Sequence, residues 1–204
     1  MNRFRFLLWA MSLSAALSLS LSLSAHALTS PASTTGTTKV RISTSLGDIE
    51  AELYADKAPK TVANFVQYVN DKHYDGTIFH RVIAGFMLQG GGYDAQYREK
   101  KTRTPVQHEG RQALAAGLKN NTGTLAMART NDPQSATSQF FINVVDNAFL
   151  DPSLHNFGYT VFGKVTSGMD VVQKIRNTPT GAGGPFHSDV PRTPVLIQSI
   201  TLLK

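Results

Sequence analysis

From residue 39 onward the chain alternates apolar and polar positions in short period-two runs, and twice gives way to helical spacing. "KVRISTSLGDIEAELY" alternates on both sides of Leu46-Gly47-Asp48, with Val40 and Ile42 before it and Ile49, Ala51 and Leu53 after it. That is the pattern of a β-hairpin. Val62, Phe65, Val66 and Val69 then recur at helical intervals behind Pro59, which suits a first helical turn. A helix is therefore expected to lay one apolar stripe on a neighbour and to end near Asn70. Further strands are predicted at 77–83, 86–89, 123–128 ("GTLAMA"), 138–145 ("SQFFINVV") and 158–165 ("GYTVFGKV"), and in the C-terminal "PVLIQSITLL". Met169, Val172 and Ile175 mark a second, short helix. Residues 91–122 are polar, Gly-containing and irregular; a stretch that long is expected to be functional or partly helical. About eight short strands and two helices, without an internal repeat, imply a mostly β, closed or nearly closed sheet with helices capping its ends.

The first thirty residues follow neither period. Arg3 and Arg5 precede an uncharged, Ser-rich apolar run from Phe6 to Leu23, and Ala25-His26-Ala27 fits a small-x-small cleavage site. Residues 1–27 thus read as a secretory signal peptide, with Leu28 at the mature N-terminus. The run is about long enough to span a bilayer. Its many serines and the cleavage pattern that follows argue against a retained anchor, so no stable membrane association is expected after cleavage. Residues 28–38, "LTSPASTTGTT", read as a flexible leader, and 39–204 as one folded domain.

Composition narrows the classes. Hydrophobic residues at 41% and charged ones at 17% are a globular balance, enough to bury a core. Cysteine is absent, which removes disulfides, a thiol nucleophile and Cys-ligated zinc. An exported chain without cysteine points to a bacterial periplasm. The formal charge of +6 falls to +4 without Arg3 and Arg5. Arg98, Lys100, Lys101 and Arg103 form the one basic cluster in the sequence, read as a solvated loop rather than a surface for an anionic partner. No nucleic-acid motif accompanies it. The chain also lacks a G-x-S-x-G elbow and a phosphate-binding Walker loop. Gly90-Gly91-Gly92 is best explained by a turn or close backbone approach at a strand end. The histidines show no ligand spacing, so neither a metal nor a cofactor is expected. Asn120-Asn121-Thr122 matches a glycosylation acceptor, relevant only in a eukaryotic host.

What remains is an arginine in an apolar strand, "FHRVIAGFMLQGGG". Strict alternation puts Phe79, Arg81 and Ile83 on one side and His80 and Val82 on the other. Phe86, Met87 and Gln89 follow, and Met127, Phe140, Phe141, Phe149 and Leu150 cluster further on. Spacing alone favours an ordinary aromatic core beside which Arg81 reaches out to solvent over a cationic groove.

The motifs "FHRVIAGFMLQGGG", "GTLAMART", "SATSQFFINVVDNAFLD" and "GYTVFGKVTSGMDVV", in this order and at these intervals, strongly resemble the cyclophilin family of peptidyl-prolyl cis-trans isomerases. The resemblance spans about 39–203, and the signal segment with "AMART" and "DNAFLD" looks most like the bacterial periplasmic branch. It implies a closed eight-stranded antiparallel β-barrel capped by two α-helices, with the active groove on its outer face. It implies that Arg81 is the catalytic arginine and that Gln89 positions it and the substrate. Phe86, Met87, Phe141 and Leu150 match the proline pocket, and Ala128 and Gln139 further groove positions. Arg129 stands where many members carry asparagine, whose backbone binds the substrate; a backbone contact survives that change. Phe149 replaces a tryptophan and Tyr159 a histidine of many eukaryotic members. Losing the indole N–H removes a donor that the drug cyclosporin uses, so weak cyclosporin binding is expected beside retained activity. The expected partners are proline-containing unfolded or partly folded polypeptides in the periplasm, met by a monomeric folding assistant. A non-catalytic proline-peptide module or holdase is the alternative.

Overall fold

The computed structural model describes residues 38–204. The predicted signal segment 1–27, and the leader up to residue 37, lie outside the described residues.

Period-two alternation closes into a barrel. The elements in chain order are β1 (Thr38–Thr44), β2 (Gly47–Leu53), α1 (Pro59–Asn70), β3 (Thr77–Ile83), β4 (Met87–Asp94), α2 (Gly110–Ala115), β5 (Thr124–Met127) and β6 (Phe140–Asn143). A single 3-10 turn (Ala148–Leu150), β7 (Val161–Ser167), α3 (Met169–Arg176), β8 (Thr180–Gly183), β9 (Phe186–Pro191) and β10 (Leu196–Leu203) complete it. Eight strands pair antiparallel in the closed order β1-β10-β3-β4-β6-β5-β7-β2, which leaves the barrel without a free edge. The predicted hairpin is β1–β2, in register from Thr38↔Leu53 to Thr44↔Gly47.

Inward positions fill the barrel. Val40, Ile42, Ile49, Ala51, Phe79, Leu88, Leu125, Phe140, Phe162 and Ile197 are fully buried in one cluster. The apolar stripes of α1 (Val62, Phe65, Val69) and α3 (Val171, Val172, Ile175) cap the same cluster. Phe65 meets Phe140 edge-on at 5.5 Å and Phe162 at 5.1 Å between ring centroids, within the range aromatic pairs prefer.

The long irregular stretch is partly helical, through α2, and it supports the fold at a distance. Ala58 at the start of α1 offers no side-chain cap. The buried carboxylate of Glu109 replaces it, accepting from the Lys60 N–H (3.1 Å), the Thr61 N–H (2.8 Å) and the Thr61 hydroxyl (2.8 Å). The basic cluster is largely spent on internal contacts. Arg98 pairs with Asp94, Arg103 with Asp71, and Lys100 donates to the backbone carbonyls of His73 and Asp75.

Three expectations need correction. β4 runs on to Asp94, so Gly90–Gly92 lie within a strand instead of at its end. The hairpin β8–β9 stands outside the barrel and carries no alternating signal. Alternation also fails along β3, with consequences for the site.

Candidate active site

β3 pairs Phe79 with Gly90 and then Arg81 with Gln89, two residues against one. His80 is the extra residue of a β-bulge. Phe79 and Val82 therefore both face the barrel core, where strict alternation would separate them. Arg81 is exposed on the outer face, and His80 lies between Tyr93 and the Phe186 ring of β9. Without the bulge, Phe79 and Arg81 would share a face, and one of them would be on the wrong side of the sheet.

Arg81 begins a row of directly opposed residues around the outside of the barrel. It faces Gln89 on β4, Gln89 faces Phe141 on β6, Phe141 faces Ala126 on β5, and Ala126 faces Val161 on β7. Such opposed side chains sit about 5 Å apart. The row passes from cation to amide to aromatic to aliphatic. Its apolar end is the centre of a second cluster, separate from the barrel core. Met87, Ala126, Phe141, Leu150 and Val161 are buried there, with Ile83, Phe86, Leu118, Ala128 and Tyr159 half-buried around them. A buried apolar floor on the outer face of a barrel, with Arg81 at one end of the row, is the candidate groove.

The walls are fixed by aromatic contacts and amides. Phe149 is 68% exposed and stacks on Phe86 at 5.5 Å, forming the rim. Tyr159 meets Phe141 edge-on at 5.6 Å and carries the Arg129 guanidinium over its ring at 4.6 Å. Arg129 also donates from Nε to the Gly158 carbonyl (3.0 Å), so its side chain folds away from the strand edge. Among the described residues its own N–H and C=O have no backbone partner, leaving that edge open to an extended chain. Gln89 donates from Nε2 to Gln139 Oε1 (2.9 Å), tying the row to a second recess lined by Ala128, Arg129, Glu99 and Thr137. Gly92 makes room for this amide: a Cβ there would lie 2.5 Å from Gln139 Cγ.

Two groups matter that sequence reading does not single out. Asn147, 2% exposed, donates from Nδ2 to the Phe86 carbonyl (2.9 Å) and to Asn143 Oδ1 (2.7 Å), and from its N–H to the Asn120 carbonyl (2.8 Å). It holds the 3-10 turn bearing Phe149 and Leu150 against the strand end bearing Phe86. Asn120, fully buried and bonded to Asp151 and Asn143, belongs to the same network and offers the folded chain no glycan acceptor. His80 is the other. Burial first, then the neighbouring Arg81 charge, lowers its pKa to about 4, so it is neutral at pH 7.

A family model described as cyclophilin type peptidyl-prolyl cis-trans isomerase/CLD matches residues 39–202. The chain belongs to the cyclophilin-type isomerase family. Similar relatives include the peptidyl-prolyl cis-trans isomerase of Acinetobacter baylyi, 52% identical over 178 residues, covering 87% of this chain and 88% of the relative. Peptidyl-prolyl cis-trans isomerase B of Escherichia coli is 51% identical over 166 residues, covering 80% and 98%. A crystal structure of a cyclophilin-type isomerase from Cryptosporidium parvum superposes with a TM-score of 0.64 at 27% identity, covering 83% of this chain and 99% of that one. The same protein was also solved in the presence of the dipeptide Ala-Pro (TM-score 0.62, 28% identity, 81% and 99% covered).

All the residues expected from the cyclophilin resemblance meet in this one groove. Arg81 and Gln89 begin the row, while Met87, Phe141 and Leu150 form the floor. Phe86, Phe149 and Tyr159 make the rim, and Ala128, Arg129 and Gln139 line the recess beside Gln89. Met127 and Phe140, which cluster with them in sequence, point instead into the barrel. Ala126 and Val161 complete the floor and become visible only through strand register.

Proposed function

We propose that this chain catalyses cis-trans rotation about X-Pro bonds in polypeptides exported to a bacterial periplasm, as a monomeric folding assistant. Family membership supports the reaction, the bacterial relatives fit the source, and the pattern of residues 1–27 supports export. The observation that carries the mechanism is Arg81 opposite Gln89 at the head of an apolar row.

The planar imide resists rotation by about 18–20 kcal/mol because the nitrogen lone pair is shared with the carbonyl. No covalent bond breaks, so the chemistry needs neither nucleophile nor cofactor. At the half-rotated state the lone pair localises on nitrogen. A donor aimed there binds the twisted amide better than the planar one, which is the condition for acceleration. The Arg81 guanidinium is that donor, with Gln89 and Gln139 holding the polar end of the groove. Met87, Phe141 and Leu150 grip the pyrrolidine ring and exclude water, which strengthens the field of the cation. The open edge at Arg129 holds the flanking backbone. A thousandfold acceleration requires about 4 kcal/mol.

Arg81→Ala is expected to lower kcat/KM on a proline tetrapeptide about a hundredfold, the scale of one lost electrostatic donor. The circular dichroism spectrum should stay unchanged, because the side chain lies outside the core. An unchanged kcat/KM in the folded variant refutes the assignment. Peptide binding without accelerated exchange in the unaltered protein would instead identify a holdase.

A further inference from the structure

Five large apolar side chains are exposed among the described residues, and three of them, Phe149, Leu154 and Phe157, fall within nine positions. Phe149 belongs to the groove rim. Leu154, at 87% exposure, and Phe157, at 51%, lie on the loop 151–158, for which the groove gives no use. The stems of that loop are the groove itself. The Tyr159 N–H donates to the Leu150 carbonyl (2.9 Å), and both residues pack on the apolar floor.

The loop is braced. The Ser153 N–H donates to the Asn156 carbonyl (2.8 Å), and Arg111 Nη2 donates to the Ser153 carbonyl (3.1 Å). Gly158 has φ +65°, and a side chain there would collide with the backbone of 150–152. Its carbonyl accepts from Arg129 Nε (3.0 Å). A loop held in this way presents Leu154 to water. An isolated exposed leucine needs no explanation, but an apolar tip continuous with a substrate groove marks a contact surface.

We infer that the loop 151–158 is a second contact for the client polypeptide, taking apolar side chains a few residues away from the bound proline; this rests on the isomerase reading. Leu154 is four residues from Leu150, hence at most about 14 Å along the chain, a span that about four extended client residues cover. The occupant is an unfolded segment, because only an extended chain can leave the pocket and run along the loop. Arg111 and Arg129 brace the loop and outnumber its one carboxylate, Asp151, which Asn120 occupies, so the client segment is apolar or acidic and not basic. The loop then discriminates long unfolded chains from short proline peptides, which end before reaching it.

The test compares two substrates on the full mature chain: a proline tetrapeptide, and a reduced, alkylated protein whose refolding is limited by one X-Pro bond. Leu154→Ser and the double variant Leu154→Ser/Phe157→Ser should leave tetrapeptide kcat/KM within twofold. Both should lower kcat/KM for catalysed refolding about five- to tenfold through KM, and Leu154→Met should restore it. An equal fall on both substrates would make the loop merely structural and overturn the inference. Unchanged refolding catalysis would overturn it too. A wild-type dimer that Leu154→Ser dissociates, with refolding catalysis intact, would assign the patch to a second copy of the chain instead. If wild type accelerates neither substrate, the isomerase reading itself falls and the inference with it.

Discussion

At the scale of single residues, recognition depends on which atoms the rim presents. Phe149 supplies a stacked ring on Phe86 but no N–H. Phe149→Trp is therefore expected to tighten cyclosporin about tenfold, the equivalent of one hydrogen bond of about 1.4 kcal/mol. Tetrapeptide turnover should change little, since the floor residues Met87, Phe141 and Leu150 are untouched. A calorimetric titration of both forms measures the difference. Unaltered affinity would place the drug's discrimination elsewhere, with Tyr159 the next position to exchange. Arg129 illustrates the converse: its side chain is occupied with Tyr159 and Gly158, which leaves its backbone edge unobstructed.

At the scale of elements, the groove is an assembly of pieces held by buried amides. Asn147→Ala removes the donor that joins the 3-10 turn to the Phe86 carbonyl and leaves buried acceptors unpaired, a loss of about 1–3 kcal/mol in stability. Because Phe86 and Leu150 lose their common clamp, kcat/KM should fall at least threefold even where the variant is fully folded. Urea titration and the tetrapeptide assay read the two effects separately. The eight barrel strands are legible in the sequence because period two is a local signal, and Val40/Ile42 or Ile49/Ala51/Leu53 declare it without help. The bulge at His80 is not, since an extra residue is defined only against the partner strand. β8–β9 escapes as well: Gly181, Gly183 and Gly184 interrupt it, and its main apolar group, Phe186, serves to cover His80. The asparagines of the clamp escape too, because nothing local shows that Asn120, Asn143 and Asn147 will meet. The groove residues were legible through long motifs; the row that orders them required register.

At the scale of the whole molecule, burial of imidazoles is expected to weaken the fold in acid. His80 has a folded pKa of about 4, and burial also lowers those of His73 and His108. In each case the folded value lies below that of the unfolded chain. The stabilisation is complete above about pH 6.5 and is lost as pH falls, because the unfolded chain takes up protons the fold refuses. For His80 alone, the loss between about pH 6.5 and 4 is on the order of 3 kcal/mol. Denaturant midpoints across that window should decline, and His80→Gln should flatten the decline. A wild-type midpoint constant between pH 7 and 4 would contradict it. The lowered carboxyls of Asp94, Asp146 and Asp170 act in the same direction at lower pH.

The row from Arg81 to Val161 runs along the reverse of the same strands whose other faces hold the barrel together. Substituting along it alters what is gripped while Leu88, Phe140, Ile142, Leu125 and Phe162 remain as they are. Descendants of such a chain can drift in taste for their clients without first having to reinvent a scaffold.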